Sequence, residues 1–145
     1  MQATYDPLHM GEITEEIHRQ LVHLALRLKE HEQVCLERLG LSRMDAKTLY
    51  RLEPGETVPV RRLAERGGVD PSNLSAPIER LESRGLVERQ PTVHDRRVRA
   101  VRLTRAGVRM RERLVRCLVD GHPAVAGLAP DEQERLRDLL RRLDL

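Results

Sequence analysis

Apolar residues recur three and four positions apart at Ile13, Ile17, Leu21, Leu24, Leu28, Cys35 and Leu39. This spacing predicts one long helix from about Gly11 to Leu39, ended by Gly40. A second apolar stripe (Val22, Leu26, Val34, Leu36) lies on another face of the same helix. A small domain has little use for a terminal helix that is apolar on two sides, so the pattern points to a partner subunit. Ser42-x-x-Asp45 has the form of a capping box and opens a second helix that runs through Leu52 and breaks at Pro54-Gly55. A third helix covers Pro59 to Arg66, with Leu63 and Ala64 inward, and stops at Gly67-Gly68. Asp70 caps a fourth, with Pro71 at its first position and Leu74, Ile78 and Leu81 as its buried stripe. Gly85 suits the left-handed C-terminal position of that helix.

The period then shortens. Leu86 to Gln90 and Val98 to Leu103 read as strands joined by a polar loop containing Pro91. Thr104 caps a fifth helix to about Asp120, and His122-Pro123 and Gly127 form a break. Pro130 starts a last helix with Leu136, Leu139, Leu140 and Leu143 on one side. The order predicts a mainly α fold with a small two-stranded antiparallel β-wing. It is a winged helix-turn-helix over residues 41–119, flanked by terminal helices in 1–40 and 120–145. Pro77, seven residues into the fourth helix, removes a backbone hydrogen bond and is expected to bend the last turns.

Composition narrows the function. The 145 residues include two Tyr and neither Phe nor Trp, so the core must be built from Leu, Val, Ile and Ala. No apolar run has membrane-spanning length, Met1 to Met10 lack the features of a secretory signal, and two distant cysteines point to a reducing compartment without a disulfide. A cytoplasmic location is expected. Net charge is only +3, yet Arg61 to Arg116 holds 15 Arg against 7 acids, and five arginines fall between Arg89 and Arg102 against one acid, Asp95. A basic middle between acidic ends is the footprint of a double-stranded DNA-binding face. No GxSxG, P-loop, strand-linked GxGxxG or HExxH is present, so no enzyme is expected. A winged-helix protein-interaction module is the other class this fold allows.

With its stripe inward, the fourth helix turns Ser72, Ala76, Glu79 and Ser83 outward and carries Asn73, Ser75 and Arg80 on its flanks. Asn73 can pair with adenine, Ser72 and Ser75 with phosphates or bases, and Arg80 with guanine or phosphate. Alternatively, Ser72 and Asn73 only satisfy the free N–H groups of the first turn. In the wing, Arg97 at the hairpin tip suits the negative potential of a narrow minor groove, and Arg96, Arg99 and Arg102 suit phosphates. A lone helix-turn-helix makes few contacts, so a homodimer held by the end helices on a palindromic site is expected.

Val60-Arg61-Arg62-Leu63-Ala64-Glu65-Arg66, Asp70-Pro71-Ser72-Asn73, Arg80 to Arg89, and Asp95-Arg96-Arg97 followed by Leu103-Thr104-Arg105-Ala106-Gly107 together resemble the MarR family of bacterial transcription regulators. The resemblance runs from Leu41 to about Val119. It implies that Asp95 orients Arg97 toward the minor groove, and it departs at Pro77. It further implies release from DNA by small phenolic or other anionic effectors, or by cysteine oxidation. His23, Arg27 and Tyr50 are candidates for an effector crevice, although Tyr50 also suits the core. His31 and Cys35 share a helical face, but two ligands are not a metal site, so no metal and no cofactor are expected. Cys35 is a candidate oxidation or metal sensor, and Cys117, among Leu114, Leu118 and Val119, is expected to be a small core residue.

Overall fold

The computed structural model describes the backbone of residues 7–91 and 99–143, and the side chains of 11–90 and 100–143. In chain order the elements are α1 (Pro7–Leu39), α2 (Arg43–Arg51), β1 (Thr57–Pro59), α3 (Val60–Gly67), a 3-10 turn (Pro71–Leu74), α4 (Ser75–Ser83), β2 (Val87–Pro91), β3 (Arg99–Leu103), α5 (Arg105–Val119) and α6 (Pro130–Arg141). Backbone contacts divide the chain into a unit of Val34–Asp120 and a unit of Met1–Gln33 with Gly121–Leu145. Among the described residues no helix is long and apolar enough to cross a membrane.

The Val34–Asp120 unit holds the core. Leu49, Leu52, Leu63, Leu74, Leu81 and Val101 have no exposed surface, and Ile78 and Leu114 almost none. Branched aliphatic side chains thus fill the space that Phe and Trp fill elsewhere. Leucines at helical spacing in α2, α3 and α4 converge because each helix has a single apolar stripe. The sheet differs from expectation: it has three strands, in the order β1-β3-β2. β3 pairs antiparallel with β2 from Val87↔Leu103 to Pro91↔Arg99, and with β1 from Thr57↔Arg102 to Pro59↔Ala100. Three residues ending in proline carry too little alternation to read as a strand, and an edge position is where Pro59 costs no ladder bond.

Local signals set the boundaries. The Ser42 hydroxyl accepts from Asp45 N at 3.1 Å while the Asp45 carboxylate accepts from Ser42 N at 3.2 Å, a complete capping box. Thr104 accepts from Gly107 N at 3.0 Å at the start of α5 and donates to Gly85 O at 2.6 Å. Gly85 has φ 66°, which only glycine adopts without strain.

The second unit has no comparable core. On α1, Ile13, Ile17, Leu21, Val22 and Leu26 are exposed, as are Leu139, Leu140 and Leu143 in its C-terminal segment. Of the two stripes read from the sequence of α1, only Leu24 and Leu28 are half-buried up to Gln33, and Ile13, Ile17, Leu21, Val22 and Leu26 stay exposed. α6 is opened by Glu132, whose carboxylate accepts from Ala129 N at 2.8 Å.

Candidate nucleic-acid interface

The segment expected to form the fourth helix is built in two parts. Asp70, in extended conformation, accepts from Ser72 N at 2.8 Å and from the Ser72 hydroxyl at 2.6 Å. The hydroxyl bond first, and the backbone bond second, hold the Asp70 carboxyl below its ordinary value. Asn73 N donates to Asp70 O at 3.0 Å, which makes the turn 3-10, and α4 starts only at Ser75. The expected kink at Pro77 is therefore absent. Pro77 is the third residue of α4, where its missing N–H has no intrahelical partner to lose, and its ring is buried beside Ile78. Leu74, Ile78 and Leu81 point inward, and Ser72, Asn73, Ser75 and Ala76 are exposed at the front of this element. Ser72 spends its proton on Asp70, which is the local role weighed for it, and keeps its acceptor lone pairs.

Toward the back of α4, Arg80 is half exposed, and part of its guanidinium is held by partners within the protein. Its Nε lies 3.1 and 3.3 Å from the two oxygens of Asp45, and its Nη2 lies 2.8 Å from Asp45 Oδ1 and 3.5 Å from the Ser42 hydroxyl. Asp45 is 4% exposed. Burial pushes its carboxyl up, but the bonds from Arg80 and Ser42 and the adjacent guanidinium outweigh that and hold it below the ordinary carboxylate value. Glu79 and Glu82, on the outer face of α4, pair with Arg89 of β2 at 3.7 and 3.1 Å. The Ser83 hydroxyl donates to Arg80 O at 2.8 Å.

In the wing, Arg102 is exposed and pairs with Glu88 across the β2–β3 ladder. Two of the five arginines counted on the hairpin, Arg89 and Arg102, are thus neutralised within the protein. Asp95, Arg96 and Arg97 lie outside the described residues, and Arg99 opens β3 with its side chain outside them. Sequence reasoning missed Arg89, whose acids are supplied by another element, and it assigned Asp45 only the helix cap that its three-residue spacing announces.

The effector candidates are placed as follows. His23 and Arg27 are exposed on α1. Tyr50 is not core: it is 56% exposed, and the Arg111 guanidinium lies 5.8 Å from its ring centre while bonding Glu53 at 2.6 Å. None of the three lines the cleft of about 390 Å³ formed by Val125, Leu136, Leu140 and neighbouring residues. The cysteines also correct the sequence reading. Cys35 of α1 and Cys117 of α5, 82 positions apart, are joined by a disulfide within the Val34–Asp120 unit, with Cα atoms 5.8 Å apart. The chain separation concealed the pairing because α1 and α5 meet only in the fold. Among the described residues no three His, Cys, Asp or Glu cluster as metal ligands would.

Comparison with known proteins agrees with this architecture. The model of the family described as "MarR family" matches residues 39–98. YusO from Bacillus subtilis shares 22% identity over 92% of this chain and 96% of its own, with a TM-score of 0.78. The reduced form of MarR from E. coli shares 25% over 87% and 94%, with a TM-score of 0.73. CouR from Rhodococcus jostii RHA1, bound to p-coumaroyl-CoA, shares 26% over 90% and 92%, with a TM-score of 0.68. A helix-turn-helix with a three-stranded wing, carrying the motifs from Val60 to Gly107, is thus similar over residues 39–98 to the MarR family and shares the fold of its winged helix-turn-helix transcription regulators.

Proposed function

We propose that the protein is a transcriptional repressor, not an enzyme, which works in the cytoplasm as a homodimer on a palindromic operator and leaves it when a small molecule binds. The observation that carries this reading is the exposed row Ser72, Asn73, Ser75 and Ala76 at the front of the recognition element. Short side chains there let the backbone approach base edges in the major groove, and Asn73 offers the paired donor and acceptor that adenine requires. Asp95, Arg96, Arg97 and Arg99 are proposed to carry the minor-groove and phosphate contacts of the wing. Residues 1–40 and 120–145 are proposed as the dimerisation segments, which gives the exposed leucines of α1 and α6 a partner. CouR was crystallised with p-coumaroyl-CoA, which supports an anionic effector with a phenolic ring. Arg27 and His23, both exposed on α1, are proposed to meet its charge.

The test is selection of bound duplexes from random DNA, followed by affinity measurements across salt with and without phenolic acids and their thioesters. A palindromic consensus, with affinity falling steeply as salt rises, is expected. Binding that is absent or indifferent to salt would defeat the reading.

The disulfide favours a second reading, in which the regulator answers to oxidation. Cys117 is partly exposed and Cys35 is buried, so a peroxide reaches Cys117 first. Its thiolate takes the peroxide oxygen and expels an alcohol, giving a sulfenic acid. Cys35 then displaces water, so two thiols and one peroxide yield a disulfide, an alcohol and water. The reduced state is also accommodated, since Cys35 Sγ lies 2.9 Å from Cys117 O, to which a thiol can donate. Thiol counting by mass spectrometry after peroxide, with DNA affinity measured on both forms, decides it. Equal affinity of the oxidised and reduced forms would remove oxidation from the mechanism.

A further inference from the structure

We infer that Arg80 and Arg84 are positioning residues that fix the recognition helix α4 to the corner between α1 and α2, and that DNA specificity depends on this grip. The inference rests on the regulator reading and adds to it a role for residues that need not touch DNA.

The two arginines stand one helical turn apart, so their side chains leave α4 on the same side. Arg84 reaches the end of α1: its Nη1 donates to Gly40 O at 2.6 Å and its Nη2 to Leu39 O at 3.3 Å. The last carbonyls of a helix have no intrahelical donor and carry partial negative charge, so a guanidinium is a fitting cap for them. Arg80 reaches the start of α2, bonding the buried Asp45 carboxylate and the Ser42 hydroxyl that together form the capping box. Only Gly40, Leu41 and Ser42 separate the two helices. The chain closes tightly there, with Gly40 at φ 61° and Leu41 N donating to Leu36 O at 3.0 Å. One short helix thus holds the C-terminus of one helix and the N-terminal cap of the next, through bonds that are charge-assisted and, for Arg84 and Asp45, multidentate.

An apolar stripe alone, here Leu74, Ile78 and Leu81, lets a helix tilt about its contact line. Glu79 and Glu82 hold α4 to Arg89 of β2, and Arg80 and Arg84 hold it to the corner between α1 and α2. A helix whose front residues must meet base edges loses discrimination when its tilt is loose, whereas phosphate attraction tolerates the looseness.

The experiment uses full-length Arg80→Gln, Arg84→Gln and Asp45→Asn variants, with duplexes selected by the wild type compared against random-sequence duplexes across a range of salt. Circular dichroism establishes that each variant is folded. Arg84→Gln removes only a surface side chain and keeps the test available if Asp45→Asn unfolds. The selected-to-random affinity ratio is expected to fall about tenfold in each variant with the salt slope unchanged. Adding Asp45→Asn to Arg80→Gln should cost nothing more, and Arg84→Lys, which still donates to the α1 carbonyls, should recover part of the loss. A ratio kept within twofold in Arg80→Gln and Arg84→Gln overturns the inference. So does a salt slope reduced by about one, which would mark a direct phosphate contact. A wild type that binds no duplex at any salt overturns the regulator reading itself.

Discussion

Asp45 shows how much can rest on one carboxylate. It caps α2 through Ser42 and receives Arg80 from α4, while being 4% exposed. Its folded pKa is below the ordinary value, so the stability it contributes is present above the unfolded value of about 4 and is lost as pH falls through the lower folded value. Asp45→Asn is therefore expected to lower stability near neutral pH and to flatten the acid limb of the stability curve, as read by urea unfolding between pH 3 and 7. An acid limb as steep as that of the wild type would show that Asp45 is not the group being titrated. Gly107 is a second residue on which the fold insists. A Cβ there would overlap the Leu86 carbonyl oxygen and approach its carbon to 2.9 Å, because the first turn of α5 lies directly on the strand entry. Gly107→Ala should destabilise by about 3 kcal/mol or more, the upper end of overpacking costs, since backbone cannot step aside as a side chain can. A melting temperature within a few degrees of the wild type would contradict that close approach.

At the level of elements, the recognition segment tests how far local rules reach. Its cap at Asp70, its inward stripe and its glycine exit were all legible, because each depends on neighbours a few residues away. A bend at Pro77 follows only from one continuous helix starting at Asp70; a 3-10 turn moves the helix start to Ser75 and places the proline in the tolerated first turn. Pro77→Ala should accordingly leave helical content unchanged by circular dichroism. It should cost about 1–2 kcal/mol from lost packing and lost chain stiffness. A gain in helix would mean that the proline does interrupt α4. What the sequence could not yield is tertiary: β1 pairs with a strand more than 40 residues away, Cys35 meets Cys117 over 82, and Arg80 and Arg89 find their acids on other elements. Each of these residues has an unremarkable local context, so no periodicity or spacing marks it.

For the whole molecule, the distribution of burial is the strongest argument about assembly. The Val34–Asp120 unit buries its leucines almost completely, whereas α1 leaves Ile17 53%, Leu21 56% and Leu26 56% exposed along a helix of 33 residues. At 1.5 Å per residue such a helix is about 50 Å long, enough for an interface above the roughly 1,000 Å² that a specific complex buries. Charge at the centre of this stripe would have to be desolvated on pairing, while in the monomer it would remain in water at no cost. Leu21→Glu is therefore expected to leave the thermal unfolding of the winged unit nearly unchanged and to shift the protein to monomer in sedimentation at micromolar concentration. Because two half-sites are then no longer bound through one tethered pair, affinity for a palindromic duplex should fall by at least tenfold, with affinity for a single half-site kept. A variant that stays dimeric, or a monomer that binds the palindrome as tightly as the wild type, would separate the exposed stripe from assembly and assembly from DNA recognition.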